Sequence, residues 1–232
     1  MLELNKLYLC DCMEGMKKFP DKYFELAIVD PPYGIDIVGA IKKSTKENAS
    51  SMFKMTKCGN GYDFDKSIPD KSYFDELFRV SKNQIIWGGN YFLDYLKSTN
   101  GFAIWDKMNG TNPMADAELA WTSFEKSSKM FRMHHFSSGY GTKIHPTQKP
   151  VALYTWLLNN YAKKGDKILD THVGSASSLI ACYRLGFEYI GFELDPDYYK
   201  SATVRLEAEK SQMNLFQDLP EPAEQHEQGK FI

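Results

Sequence analysis

A chain of 232 residues, 43% hydrophobic and 25% charged, has the size and balance of one α/β domain with a sizeable core. Its formal net charge of -2 excludes a global basic field, so any nucleic-acid contact must use local charge. No apolar run reaches membrane length, the first residues lack a signal peptide's pattern, and Cys10, Cys12, Cys58 and Cys182 lack zinc-site spacing. The expectation is a cytoplasmic protein with free thiols and no metal.

In chain order, strands are expected at 6–10, 25–29, 84–87, 102–105, 119–122, 167–169 and 189–192. Cys10 and Cys12 fall two apart in the first apolar run, which as a strand puts them on one face. Amphipathic helices separate the strands. Residues 73–80 repeat Phe74, Leu77 and Phe78, and 151–161 repeat Leu153, Tyr154, Leu157, Leu158 and Tyr161. Residues 175–185 end at Gly186, a helix cap. This alternation predicts parallel strands with helices on both faces. Two stretches break it: a polar insertion at 35–70 and a segment at 123–144, both long for plain connections. The domain is expected to span 1–210, with a flexible polar tail at 211–232.

The sharpest chemical signal is Asp30-Pro31-Pro32-Tyr33-Gly34, directly after the second strand. Ligands of open α/β sheets bind beyond the carboxyl ends of strands. The prolines fix φ and remove two donors, which leaves the Asp30 carboxylate and the Pro31 carbonyl as acceptors. Such a loop suits an exocyclic amine. Its lone pair is delocalised into a base ring, and acceptors on its N–H groups free that pair and stabilise the positive charge that develops on nitrogen. Tyr33 offers a ring against a flipped-out base.

Further on, the strand ending at Asp170 runs into Thr171-His172-Val173-Gly174-Ser175-Ala176-Ser177 and then a helix. Small residues between strand and helix allow close approach of a cofactor. Glu193 ends the next strand, 19 residues after Gly174, where an acidic side chain commonly takes ribose hydroxyls. A third segment, His145-Pro146-Thr147-Gln148-Lys149-Pro150, precedes the helix at 151–161.

Together these residues resemble the DNA amino-methyltransferases over about residues 6–207. The resemblance implies a Rossmann-like, S-adenosylmethionine-dependent methyltransferase fold: a mixed seven-stranded sheet with helices on both faces. Catalytic loop first and cofactor turn last resembles the circularly permuted β-class order, which often includes N6-adenine enzymes and many homodimers. By resemblance, Asp30, Pro31, Pro32 and Tyr33 are catalytic. Asp11, Asp30, His145, Thr147, Lys149, Asp170, His172, Gly174, Ser175 and Glu193 bind S-adenosylmethionine, with Asp11 on the cofactor's adenine. The usual cofactor turn reads Asp-Pro-Phe-x-Gly-Ser-Gly. Here Thr171, His172 and Ala176 depart from it, and titration of His172 is a source of pH dependence in binding.

The implied reaction is methyl transfer to adenine N6 of a flipped base in duplex DNA. Cytosine N4 is the competing target, usually with Ser in place of Asp30; a catalytically silent DNA- or partner-binding module is a second alternative. Restriction–modification, a phage and a solitary regulatory role are all open settings. Two basic segments could meet phosphates: 42–57, with five lysines, and 125–149, with Lys126, Lys129, Arg132, Lys143 and Lys149. Phe124, Phe131, Phe136 and Tyr140 interleave with the second, so 123–144 is expected to read the target. Finally, Gln212-Met213-Asn214-Leu215-Phe216, expected just past the last helix, resembles the Gln-x-x-Leu-Phe peptide that docks on the replication sliding clamp; folding back of Leu215 and Phe216 is the alternative.

Overall fold

The computed structural model describes residues 1–36, 65, 67–110, 115–134, 144–145 and 147–217, with side chains up to Gln212. The 42–57 lysines, Cys58, Phe136, Tyr140, Lys143, Pro146 and the side chains of Leu215 and Phe216 lie outside the described residues.

The chain runs β1 (Lys6–Leu9), α1 (Cys12–Met16), β2 (Phe24–Val29), α2 (Lys71–Val80), β3 (Ser81–Trp87), β4 (Phe102–Asp106), β5 (Ala117–Thr122), β6 (Lys129–Arg132), α3 (Val151–Tyr161), β7 (Lys167–Asp170), α4 (Ser177–Leu185), β8 (Glu188–Glu193) and α5 (Pro196–Gln217). One sheet takes the order β1-β8-β7-β2-β3-β5-β4-β6. All its pairings are parallel except those of β5 with β3 and β4. The sheet is mixed, as expected, but has eight described strands rather than seven. The eighth, Lys129–Arg132, reads as a charged loop in sequence. As an edge strand it needs only one buried face, which Phe131 supplies against Trp156 with ring centroids 5.6 Å apart.

The central strands read as continuous apolar runs because both their faces are covered. Leu26 and Ile28 of β2 enter a core with Leu153, Leu157 and Leu179 from α3 and α4. Their neighbours Ala27 and Val29 enter a second core with Met16, Phe74 and Leu77 from α1 and α2. The period of two along the strand divides the side chains between the layers.

Three boundaries differ from expectation. β1 stops at Leu9, and Asp11 caps α1 by accepting from Met13 N at 2.7 Å, so Cys12 opens a helix and does not share a strand face with Cys10. α4 starts at Ser177 rather than Ser175, because Ala176 is left-handed at φ 62 and cannot continue a helix. α5 runs to Gln217, so the tail expected from Ser211 begins as helix, and the Gln212–Phe216 peptide lies within the last helix, not past it. Good helix formers from Arg205 to Met213 and the Glu207–Lys210 pair at 2.8 Å favour that continuation.

Connectivity fixes where a site can form. From β7 the chain moves outward to β8, and β1 lies beyond it; from β2 it moves the other way to β3. β7 and β2 are therefore the adjacent strands at which the sheet changes direction, in register through Leu26 with Ile168 and Ala27 with Leu169. A crevice opens beyond the carboxyl ends at such a switch point. Both expected loops, after Val29 and after Asp170, leave the sheet there.

Candidate active site

The loop after β2 gathers charges. Tyr33 Oη donates to Asp30 Oδ1 at 2.5 Å, and Lys149 Nζ donates to Asp30 Oδ2 at 2.5 Å. Lys149 is 4% exposed and lies 5.1 Å over the Trp87 ring. Its second carboxylate is Glu118 on β5, with Nζ to Oε2 at 3.1 Å, and Lys107 closes the row at 2.5 Å from Glu118 Oε1. Burial would pull the Lys149 ammonium's pKa down, but the Asp30 and Glu118 carboxylates outweigh it and hold it above the usual lysine value. Burial would raise the Glu118 pKa, yet Lys149 and Lys107 keep it below the usual carboxylate value. Burial, with Asp30 and Glu118 nearby, pushes the Tyr33 phenol well up, so it stays a neutral donor.

The backbone past the prolines is fixed by Asp65, whose Oδ1 accepts from Tyr33 N at 2.7 Å and Gly34 N at 2.9 Å. One face of the Tyr33 ring stacks on Tyr91, centroids 5.1 Å apart and 13° from parallel. Tyr91 is 43% exposed, on the 3-10 turn Gly89–Tyr91. Gly88 makes room for the packing: a Cβ there would sit 2.2 Å from the Tyr33 ring.

The neighbouring turn, after β7, holds its buried carboxyl with uncharged donors. Asp170 is 2% exposed and accepts from His172 N at 3.0 Å and from the Ser178 hydroxyl. Among the described residues no cation pairs with it, and burial pushes its pKa up to about 7. His172 Nδ1 lies 2.9 Å from Thr171 Oγ1, which in turn meets Tyr73 Oη at 2.7 Å. Burial lowers the His172 pKa to about 4, so the ring is neutral through the physiological range; the expected pH dependence from this side chain moves below it.

Glu193 Oε2 accepts from Gly174 N at 2.8 Å and Oε1 from Asp195 N at 3.0 Å, tying the end of β8 to the turn. A carboxylate oxygen has a second lone pair, so each can accept again. Arg205 of α5 braces the turn from behind, donating to Ser175 O at 2.6 Å and Ser177 Oγ at 2.9 Å. Asp11 lies two residues past Leu9, the register partner of Glu193, and already caps α1.

The His145–Lys149 segment divides between the two halves. Thr147 Oγ1 lies 3.1 Å from His145 Nδ1, and the His145 ring reaches within 3.4 Å of where a Gly174 Cβ would be, placing it against the cofactor turn. Burial lowers the His145 pKa to about 4. Lys149, expected with Asp30 among the cofactor residues, has its ammonium on Asp30 and Glu118.

Glu118, Lys107, Tyr73, Gly88, Tyr91, Asp65 and Arg205 escape the reading of the sequence. Only Gly88, in a Gly-Gly pair after a strand, carries a local signal. The described residues of the basic segment at 125–149 do not gather on one face. β5 runs antiparallel to β3, so Phe124 and Lys126 follow at the amino ends of the parallel strands, away from the crevice, where Lys126 Nζ caps Asn160 O at 3.1 Å. β6 then climbs back in register with β4, which leaves Lys129 at the far end and Arg132 at the crevice end, 3.3 Å from Asp106.

Sequence and structure comparisons bear on the family and the fold. The sequence model of a DNA methylase family matches residues 87–204. The type II methyltransferase M2.DpnII of Streptococcus pneumoniae is 45% identical over 199 residues, 84% of this chain and 69% of its own. The solved complex of M1.HpyAVI with SAM superposes with a TM-score of 0.57 at 19% identity, over 87% of this chain and 98% of that one. The cytosine-N4-specific PvuII DNA methyltransferase gives a TM-score of 0.57 at 14% identity, over 90% of this chain and 91% of that one.

Proposed function

The chain belongs to the DNA methylase family, whose methyl donor is S-adenosylmethionine, and from that premise we propose that it methylates N6 of adenines flipped out of duplex DNA. The observation that carries this reading is the Asp30 carboxylate beside the Tyr33 ring, next along the sheet to a small-residue turn closed by Glu193.

The donor set fits the cofactor. Asp170 is a buried carboxylate without a cation among the described residues, which suits the ammonium of the methionine portion. Glu193 keeps lone pairs for ribose hydroxyls, Gly174 and Ser175 allow close approach, and His145, Thr147 and the neutral His172 ring wall the pocket. Asp11 is assigned to the adenine amino group. The bound cofactor supplies an electrophilic methyl on a sulfonium. The protein supplies acceptors: Asp30 and the Pro31 carbonyl take the N–H bonds of the target amine, and Pro32 has no N–H to compete. Tyr33 stacks on the base. As the N–C bond forms, nitrogen must shed a proton, and the Asp30 carboxylate is the nearest base to receive it.

A carboxylate at position 30 favours adenine over cytosine. The test is nucleoside analysis of unmethylated plasmid DNA after incubation with protein and labelled S-adenosylmethionine. N6-methyldeoxyadenosine is expected; N4-methyldeoxycytidine would replace the target, and no labelled nucleoside would favour a silent binding module. Two partner readings accompany this one. A homodimer would compensate for a short target-reading segment and is checked by sedimentation. Clamp docking through Gln212–Phe216 requires the last turns of α5 to unwind, and is checked by binding of a 209–218 peptide to purified clamp.

A further inference from the structure

In the free protein both oxygens of Asp30 are occupied, one by the Tyr33 hydroxyl and one by the Lys149 ammonium. An incoming amine needs one of those positions. Displacing a charge-assisted bond is costly unless the ammonium finds an equal partner. Such a partner is already in reach. Glu118 Oε2 is buried and 3.1 Å from Lys149 Nζ, yet it takes no hydrogen bond among the described residues. An acceptor that is ion-paired with the ammonium but outside hydrogen-bond geometry is placed to take a full bond if the ammonium turns towards it.

We infer that Lys149 is handed over between two carboxylates: its ammonium rests on Asp30 while the base site is empty and moves onto Glu118 Oε2 when the target amine takes Asp30. This rests on the proposed methylation at Asp30. Glu118 is then a positioning residue that acts through Lys149. Lys107 holds the other Glu118 oxygen at 2.5 Å, which aims Oε2 at the ammonium and keeps the row of two acids and two lysines neutral throughout. The hand-over strips a cation from Asp30 before positive charge develops on the amine, so Asp30 is the better acceptor when it does.

The test uses the full chain, unmethylated plasmid and tritiated S-adenosylmethionine. Glu118→Gln keeps shape but removes the charge that receives the ammonium. Its kcat is expected to fall at least tenfold, with KM for DNA and Kd for the cofactor within twofold of wild type. Adding Lys149→Met to that variant removes the group left stranded on Asp30, so the double variant should be faster than Glu118→Gln alone. A Glu118→Gln rate within twofold of wild type, or no gain in the double variant, overturns the inference. A second measurement needs no activity and so stands if the methylation reading itself fails. With two interchangeable partners, Asp30→Asn and Glu118→Gln should each lower Tm little, and their combination should lower it by more than their sum; an additive loss overturns the hand-over.

Discussion

Asp30 and Asp170 stand at the ends of two adjacent parallel strands, yet the fold treats their charge in opposite ways. Asp30 has an ammonium and a phenol against it, and a second carboxylate and lysine behind them. Among the described residues Asp170 has only a hydroxyl and a backbone N–H, and burial drives its pKa up to about 7. The difference maps onto what each is proposed to meet. Asp30 meets a neutral amine, which brings no counter-charge, so the protein supplies the cation. Asp170 meets a cationic cofactor and can wait for it, at the expense of stability in the free protein.

The largest expected effect breaks the Asp30 side. Asp30→Ala removes the acceptor at the reacting centre, and turnover should fall by roughly two to three orders of magnitude, the scale for one preorganised electrostatic contact. Cofactor affinity by calorimetry should fall far less than turnover, since Asp170 and Glu193 are untouched. Equal losses in turnover and cofactor affinity would erase the distinction between the two carboxylates.

A second variant sharpens the Asp170 side. Its pKa is raised from 3.8 to about 7, so the folded state binds the extra proton between those values, and this group's contribution to stability falls as pH rises through that window. His145 and His172, lowered from 6.5 to about 4, act oppositely: their contribution is complete above pH 6.5 and lost as pH falls through 4. The difference between wild type and Asp170→Asn isolates the aspartate. Asp170→Asn should melt several degrees higher at pH 8, with the gap closing towards pH 4, in thermal scans without cofactor. A gap independent of pH would mean that Asp170 is not strained by its burial.

The smallest effect concerns the turn itself. Ala176 holds φ 62 where the family usually has glycine. Left-handed backbone costs a non-glycine residue about 1–2 kcal/mol, while its buried methyl returns roughly 0.8 kcal/mol. Ala176→Gly should therefore gain about 1 kcal/mol or less, a Tm rise of about 1–4 °C by differential scanning calorimetry. A loss would show that packing of the methyl outweighs the backbone.

Legibility from sequence divided along the same line. The turn after β7 is local: strand, small residues, helix and a glutamate at fixed spacing are contiguous, and the fold brings Asp170, Gly174 and Glu193 together. β6 was hidden because an edge strand needs little apolar pattern. The charge row under Asp30 was illegible because Asp30 and Lys107 follow β2 and β4, Glu118 lies on β5 and Lys149 on the approach to α3, and the antiparallel insertion of β5 joins them. The same insertion sends Lys126 to the opposite end of the sheet, which counting basic residues along the chain could not reveal.

The contrast between the two aspartates is tested most directly by proton release on cofactor binding. If the cation missing from Asp170 is the cofactor's, binding must ionise that carboxyl. Calorimetry of S-adenosylmethionine binding at pH 6.5, in two buffers of different ionisation enthalpy, counts the protons. Wild type should release a large fraction of one proton more than Asp170→Asn, because Asp170 titrates near 7 when free. The same count for both proteins would contradict the assignment and place the cofactor's positive charge elsewhere.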